Sequence, residues 1–370
     1  MEPERIVDNN DGTEMAAMYH LDIAPTRSSL VQEKTAPGGG TTAFGEDSSK
    51  HKAKICLYFF LWFALSVGYN IFNKNAVKKI PLPWLIATFQ MFAGIPLISI
   101  LWLCKLRKVP QISFSELKTV FPLAVFHSGA HLCACLAMYA GSVSFAHIIK
   151  AAEPISTSLF SIVILSELLS WKVYVTLLPV VSGVALASIS EPAFSWLAFA
   201  TAMGANVFSS LRGVYSKQHM SDPVGTHVCP RNLYGIVTIM SFLLLAPLAL
   251  IIEGPSMVTE WNKAVDQDNV SVSKFILNTI FSGLAYYSYN EMAFSTLELV
   301  SPVTHAVGST FKRVFIIGSS IIIFGNYPDA LGYIGMTVAI AGVGVYSLAK
   351  QKYKTIKPVP LTKSVNNAQV

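Results

Sequence analysis

Residues 300–324 read VSPVTHAVGSTFKRVFIIGSSIIIF. At about 1.5 Å per residue, a helix of this length crosses the roughly 30 Å hydrocarbon core of a bilayer. The stretch contains no acid, yet Lys312 and Arg313 stand side by side midway along it. Apolar runs of similar length recur at 54–73, 83–104, 119–141, 144–165, 171–190, 194–217, 231–252, 274–296 and 330–349, which makes ten predicted spans. In lipid an unpaired backbone group costs several kcal/mol, so each run is expected to be helical. The breaks fall at turn chemistry such as Pro81-Leu82-Pro83, Glu191-Pro192 and Asn326-Tyr327-Pro328. The expected fold is an all-α membrane protein of ten transmembrane helices.

The composition agrees. Of the 370 residues 52% are hydrophobic and 13% charged, against about 25% charged in soluble domains. Mean hydropathy is +0.50. The net charge of +6 does not point to nucleic acid, because the Lys and Arg lie mostly between or at the ends of apolar runs. The five Cys include Cys133 and Cys135 as a lone C-x-C with no second pair, which fits small core residues and neither a zinc site nor a disulfide framework. No metal and no cofactor is expected.

Residues 1–50 form a polar, acid-containing segment that fits neither a signal nor a transit peptide and reads as a disordered cytosolic arm. Residues 351–370 form a basic polar tail. One side of the predicted topology collects Lys50, Lys52, Lys54, Lys105, Arg107, Lys108, Lys118, Lys172, Lys217, Arg231 and the lysines from Lys350 to Lys363. The other holds Lys74, Lys78, Lys79, Lys263 and Lys274. The bias places both termini in the cytosol. The longest loop, 253–273, then faces away from it and carries the glycosylation sequon Asn269-Val270-Ser271.

Lys150, Arg212, Lys312 and Arg313 remain inside apolar spans. Each costs about 2.5–3.5 kcal/mol at a helix centre unless it faces a polar cavity. Snorkelling to the headgroups is the bland reading for Arg212 near its span's end; pairing with buried acids is the other, Glu153 with Lys150, and Glu291 is also available. The cations still outnumber those acids, so the reading is an anion site. His147, Lys150 and Pro154 share one face of span four, and His305, Gly308/Ser309 and Lys312 share one face of span nine. Spans four and nine hold the same place in two five-helix halves, 54–190 and 194–350. Five is odd, so the second half inserts upside down, as an inverted-repeat transporter requires. His131 and Tyr289 are further polar candidates at membrane depth.

From about Lys54 to Lys350 the chain resembles the plastidic phosphate translocators, the triose-phosphate/phosphate exchanger type of the drug/metabolite transporter superfamily. The resemblance rests on Tyr69-Asn70-Ile71-Phe72-Asn73-Lys74, on Ser144 to Lys150 with Glu153-Pro154, and on Arg212 with Tyr215-Ser216-Lys217. It rests further on Tyr289-Asn290 and on Thr304 to Gly308 continuing to Lys312-Arg313-Val314. It implies that Lys150, Lys312 and Arg313 hold a phosphoryl group, that His131 and Tyr289 complete the pocket, and that Arg212 meets the substrate's other end. The chain departs from the family beside His131, with Cys133 and Ala134 where other members tend to carry Ser or Thr. The implied activity is antiport of phosphorylated C3 metabolites (triose phosphate, 3-phosphoglycerate, phosphoenolpyruvate) against inorganic phosphate, with no catalytic residues. The implied location is a plastid-type envelope membrane, with the Golgi or another endomembrane as the alternative. Two other readings stand beside this one. A nucleotide-sugar antiporter also needs cations, in a larger pocket; a non-transporting membrane receptor or enzyme would need a receptor domain or an acid/base constellation, and the sequence offers neither. Neither the preferred substrate nor the oligomeric state is legible.

Overall fold

A computed structural model describes residues 43–353 apart from 193, 220–223 and 268–269. The predicted N-terminal arm before residue 43, the tail after residue 353 and Asn269 of the sequon lie outside the described residues. Among these, the chain is all helical: α1 (Ala43–Lys79), α2 (Pro83–Leu103), α3 (Phe114–Ala140), α4 (Val143–Lys150), α5 (Glu153–Leu165), α6 (Trp171–Val175), α7 (Leu177–Ile189), α8 (Trp196–His219), α9 (Pro230–Ile252), α10 (Gly254–Asn262), α11 (Val272–Leu297), α12 (Pro302–Phe324) and α13 (Ala330–Lys352). A π-helical turn, Lys263–Gln267, continues α10. Residues 43–50, expected in the polar arm, already belong to α1.

Eight segments are long and apolar enough to cross a membrane, counting α4–α5 and α6–α7 as one each. The other two predicted spans form helices of 24 and 26 residues, α8 and α11. They are more polar: α8 carries Asn206, Ser209, Ser210, Arg212 and Ser216, and α11 carries Ser282, Tyr286, Tyr287, Tyr289 and Glu291. Such helices are tolerated in lipid when the polar faces turn inward. Asn206, Ser210, Ser216, Ser282 and Thr296 are indeed buried.

The distribution of side chains is inside-out relative to a soluble protein. Leu103, Ile189, Ile251 and Ile322 are more than 70% exposed, while Asn70, Asn73, Gln90, Asn206, Thr238 and Ser241 are buried. Gln90 Nε2 donates to Asn73 Oδ1 at 2.7 Å and to Ser282 Oγ at 2.9 Å, so the interior polar groups satisfy one another. Apolar surface on this scale needs lipid around it.

α1 packs along α11, α3 along α8, α2 along α9 and α7 along α13. The α7–α13 contact is backbone on backbone. A Cβ at Gly335 would lie 2.5 Å from Ala187 N, and one at Gly183 would lie 2.3 Å from Ala339 N. Small residues allow this approach, and dispersion then holds the helices where no hydrophobic effect operates between them.

The end of the bundle where α1 starts, called proximal below, is tied by Arg107–Glu291, by Lys217–Glu167 at 2.5 Å and by Arg231–Glu298 at 2.8 Å. A strand-like bridge between Gln111 and Thr226 is there too. At the distal end Glu253 accepts from the Trp84 and Leu85 amides at 3.0 and 2.9 Å. It thereby caps the N-terminus of α2, which has no side-chain cap of its own. Burial pushes the Glu253 carboxyl above its ordinary range, and the two amide bonds hold it back.

Candidate functional site

Span four is broken, and the break builds the site. α4 ends at Lys150 and α5 starts at Glu153. In a continuous helix the Lys150 carbonyl would accept from residue 154, but that residue is Pro154 and has no N–H. The intervening amides turn tighter, Ala151 N bonding Ile148 O at 2.9 Å and Ala152 N bonding Ile149 O at 3.0 Å. Other helices satisfy the released carbonyls. Asn206 Nδ2 of α8 donates to Ile149 O at 2.8 Å, and Arg313 Nη1 of α12 donates to Lys150 O at 2.7 Å. Arg313 Nη2 also reaches Glu153 Oε2 at 3.1 Å. One guanidinium thus fixes both lips of the break, which its planar fork permits and a lysine ammonium would not.

The sequence offers Lys150 as the partner of Glu153. The structure gives it to Arg313, and it gives Glu291 to Arg107. Lys150 and Lys312 are therefore left with no ion pair among the described residues, although Lys150 lies within Coulombic reach of Glu153, Arg313 and Arg212. The Lys312 ammonium sits over the rings of Trp62 and Tyr289, 4.8 and 5.3 Å from their centroids. Such contacts stabilise a half-buried cation by about 0.5–2 kcal/mol and leave its N–H donors available. Two half-buried ammoniums on neighbouring elements are a site for a doubly negative ligand.

Around them stands an aromatic wall. Tyr289 packs against Tyr69 and Tyr286 with centroids 5.5 and 5.6 Å apart, and His131 against Tyr286 at 4.0 Å. Arg212 is held from α3: its Nη1 lies 2.6 Å from His127 Nδ1, and Tyr286 Oη lies 3.3 Å from the other ring nitrogen. A guanidinium always donates, so His127 Nδ1 accepts and Nε2 carries the proton. The Arg212 Nε is buried without a partner among the described residues. His147 Nε2 lies 2.7 Å from Asn70 Oδ1, and its Nδ1 is likewise unpartnered. His147 lies within Coulombic reach of Lys150, Arg313 and Lys312.

Lys150, Lys312, Arg313, His147, Arg212, His131 and Tyr289 thus gather in one region. His305 does not join them. Its ring stacks on Trp62 at 4.6 Å and its Nε2 meets Ala293 O at 3.2 Å, while Lys312 lies over the same indole. Seven residues separate His305 from Lys312, about 10 Å along the helix. The two residues do share a helix face, but it runs two turns along α12, and Trp62 covers the earlier one. His127, Trp62 and Tyr286 are absent from the sequence candidates. His127 has a sequence signal, since it lies one turn before His131 on the same face. Trp62 has none, being one aromatic residue in an apolar run.

Comparison with known proteins gives a consistent result. The model of the Triose-phosphate Transporter family matches residues 53–347. The phosphoenolpyruvate/phosphate translocator 2, chloroplastic, of Arabidopsis thaliana is 39% identical over 82% of this chain and 78% of its own length. The triose phosphate/phosphate translocator, chloroplastic, of Pisum sativum is 36% identical over 89% and 83%, and that of Spinacia oleracea is 38% identical over 81% and 73%.

Proposed function

Because this chain belongs to the Triose-phosphate Transporter family, we propose that it exchanges phosphorylated three-carbon metabolites for inorganic phosphate by alternating access. The observation that carries the reading is the charge left over at the α4–α5 break. Arg313 is neutralised by Glu153, and Lys150 and Lys312 remain at the break, two positive charges beside a partly aromatic wall, with Arg212 a third cation without an ion pair among the described residues. A phosphate dianion cancels the two ammoniums. Arg212, held by His127 next to Tyr286, is suited to the carboxylate or carbonyl end of the metabolite.

Obligate exchange follows from the same count. With the site empty, closing the protein around two unpaired ammoniums and the Arg212 guanidinium carries a desolvation penalty of several kcal/mol per ion. A bound dianion removes most of it, so only the loaded protein changes face, and a ligand released on one side must be replaced before return. No covalent chemistry on the substrate is involved.

The architecture proposed is ten membrane helices in two inverted five-helix repeats, 54–190 and 194–350. The packing pairs support it. Numbering the spans one to ten, span one lies along span eight and span six along span three, while two lies along seven and five along ten. Exchanging each span for the one five places away maps this set of contacts onto itself, as a pseudo-two-fold axis in the membrane plane demands. The lysine and arginine bias favours both termini in the cytosol, and the chloroplast relatives favour a plastid-type envelope.

The test uses purified protein in liposomes. Labelled phosphate should enter only vesicles preloaded with phosphate, triose phosphate, 3-phosphoglycerate or phosphoenolpyruvate, and Lys312→Ala should abolish uptake while the protein stays folded. Equal uptake into empty vesicles contradicts obligate exchange, and undiminished exchange by Lys312→Ala removes that residue from the site. A competition panel including nucleoside monophosphates separates this reading from nucleotide-sugar antiport.

A further inference from the structure

The distal end of the bundle holds a cavity of about 300 Å³ away from the central cations, lined in part by Lys74, Lys78, Lys79, Lys263, Tyr139 and Glu260. Three elements bring four lysines and one glutamate together there: the last turns of α1, the end of α3 and the junction of α10 with the π-helical turn. The volume falls at the lower end of the range of about 300–1,000 Å³ typical of small-ligand pockets. Lys74 is partly engaged, its Nζ donating to Met138 O and Gly141 O at 2.6 Å each. An ammonium has three donors, so one is left. Lys78, Lys79 and Lys263 make no ion pair among the described residues, and Lys78 repels Lys74.

Lys78 and Lys79 also lie in the last turn of α1, where a cation complements the helix dipole. That role does not require a cavity, nor Lys263 and Tyr139 brought in from separate segments. We propose that this cavity is a second, peripheral binding site for a phosphate-type oxyanion, and that it captures the anion at the distal mouth of the protein. Its position suits that role. Asn70, Lys74 and Lys78 share one face of α1 at successive intervals of four residues, covering about 12 Å of helix. Asn70 at the inner end is bonded to His147, one turn before Lys150. One helix face therefore runs from the cavity to the central cations. The capture role rests on the exchange reading above; binding at the cavity does not.

The same headgroup chemistry could come from free phosphate or from an anionic lipid, and the experiment separates the two. The full chain carrying Lys312→Ala, which disables the central site, is placed in nanodiscs of neutral phosphatidylcholine. Acetylation rates of Lys78, Lys79 and Lys263 are followed by peptide mass spectrometry, with inorganic phosphate against chloride at equal ionic strength. Phosphate at about ten times its Kd should slow modification about tenfold, while Lys350 at the proximal end serves as an unaffected control. A second arm replaces phosphate by phosphatidylglycerol in the disc. Protection in the first arm identifies a soluble phosphate as the ligand, and protection in the second alone identifies a lipid headgroup. Unchanged rates in both overturn the proposal. Exchange by the unsubstituted protein is measured in parallel. Lost exchange with intact protection sinks the transport reading and leaves the site, whereas normal exchange without protection sinks the site alone.

Discussion

Arg313 should matter to stability through the Lys150 carbonyl and the Glu153 carboxylate, and the size of each contribution follows from its surroundings. Arg313→Ala leaves the Lys150 carbonyl with no donor, because Pro154 cannot supply one. An unsatisfied buried acceptor costs about 1–3 kcal/mol. The substitution also takes the Arg313 guanidinium from Glu153, although Lys150 and Lys312 stay within Coulombic reach of that carboxylate. Stranding one partner of a fully buried pair costs about 3–5 kcal/mol, but the Arg313 and Glu153 side chains keep 16% and 27% exposure. Solvent screening and the remaining attraction of Lys150 and Lys312 reduce that contribution to about 1–2 kcal/mol. Arg313→Ala should therefore destabilise by about 2–5 kcal/mol. Adding Glu153→Gln to Arg313→Ala should cost about 1–2 kcal/mol less than the same change in the unsubstituted protein, a favourable coupling relative to the sum of the single changes. The assay is a double-mutant cycle of unfolding in detergent micelles at neutral pH. Additivity within about 0.5 kcal/mol would refute the pairing of Arg313 with Glu153 across the break.

Three further outcomes are expected. Gly335→Val forces a side chain against the Ala187 backbone at 2.5 Å; it should lower thermal stability by about 1–3 kcal/mol or more, and a neutral result would mean that α7 and α13 are not in backbone contact. Tyr289→Phe keeps the ring beneath Lys312 and should retain exchange, while Tyr289→Ala should weaken phosphate binding by about 0.5–2 kcal/mol in a titration; equal effects of the two would discount the ring. Glu291→Gln frees Arg107 and loosens the proximal closure, so half-buried Cys229, which lies beside Arg107, should react faster with a maleimide; an unchanged rate would show that this ion pair does not hold that end shut.

Several features are legible in the sequence because they are local. Apolar runs of bilayer length dictate helices, since lipid offers the backbone no other partner. The presence of Lys150, Lys312 and Arg313 within those runs already demands an inward-facing polar region. Even the break after Lys150 has its cause in one residue, Pro154, although hydropathy alone runs through 144–165 as a single span. The 43–50 extension of α1 is not legible, because its composition is that of a polar segment.

What the chain cannot declare by itself is which charges meet. Glu153 and Glu291 are both available to the membrane cations, and only the arrangement of helices assigns the first to Arg313 and the second to Arg107. That assignment leaves two ammoniums free at the centre. Position along a helix likewise qualifies His305 as readily as His147, until Trp62 of a distant segment comes to lie over it. Charge can be counted along a chain, but Coulomb energy and hydrogen bonding depend on separations of a few ångströms between residues far apart in sequence. The sequence therefore determined the medium and the stock of cations, and tertiary structure decided which of them remain to hold an anion.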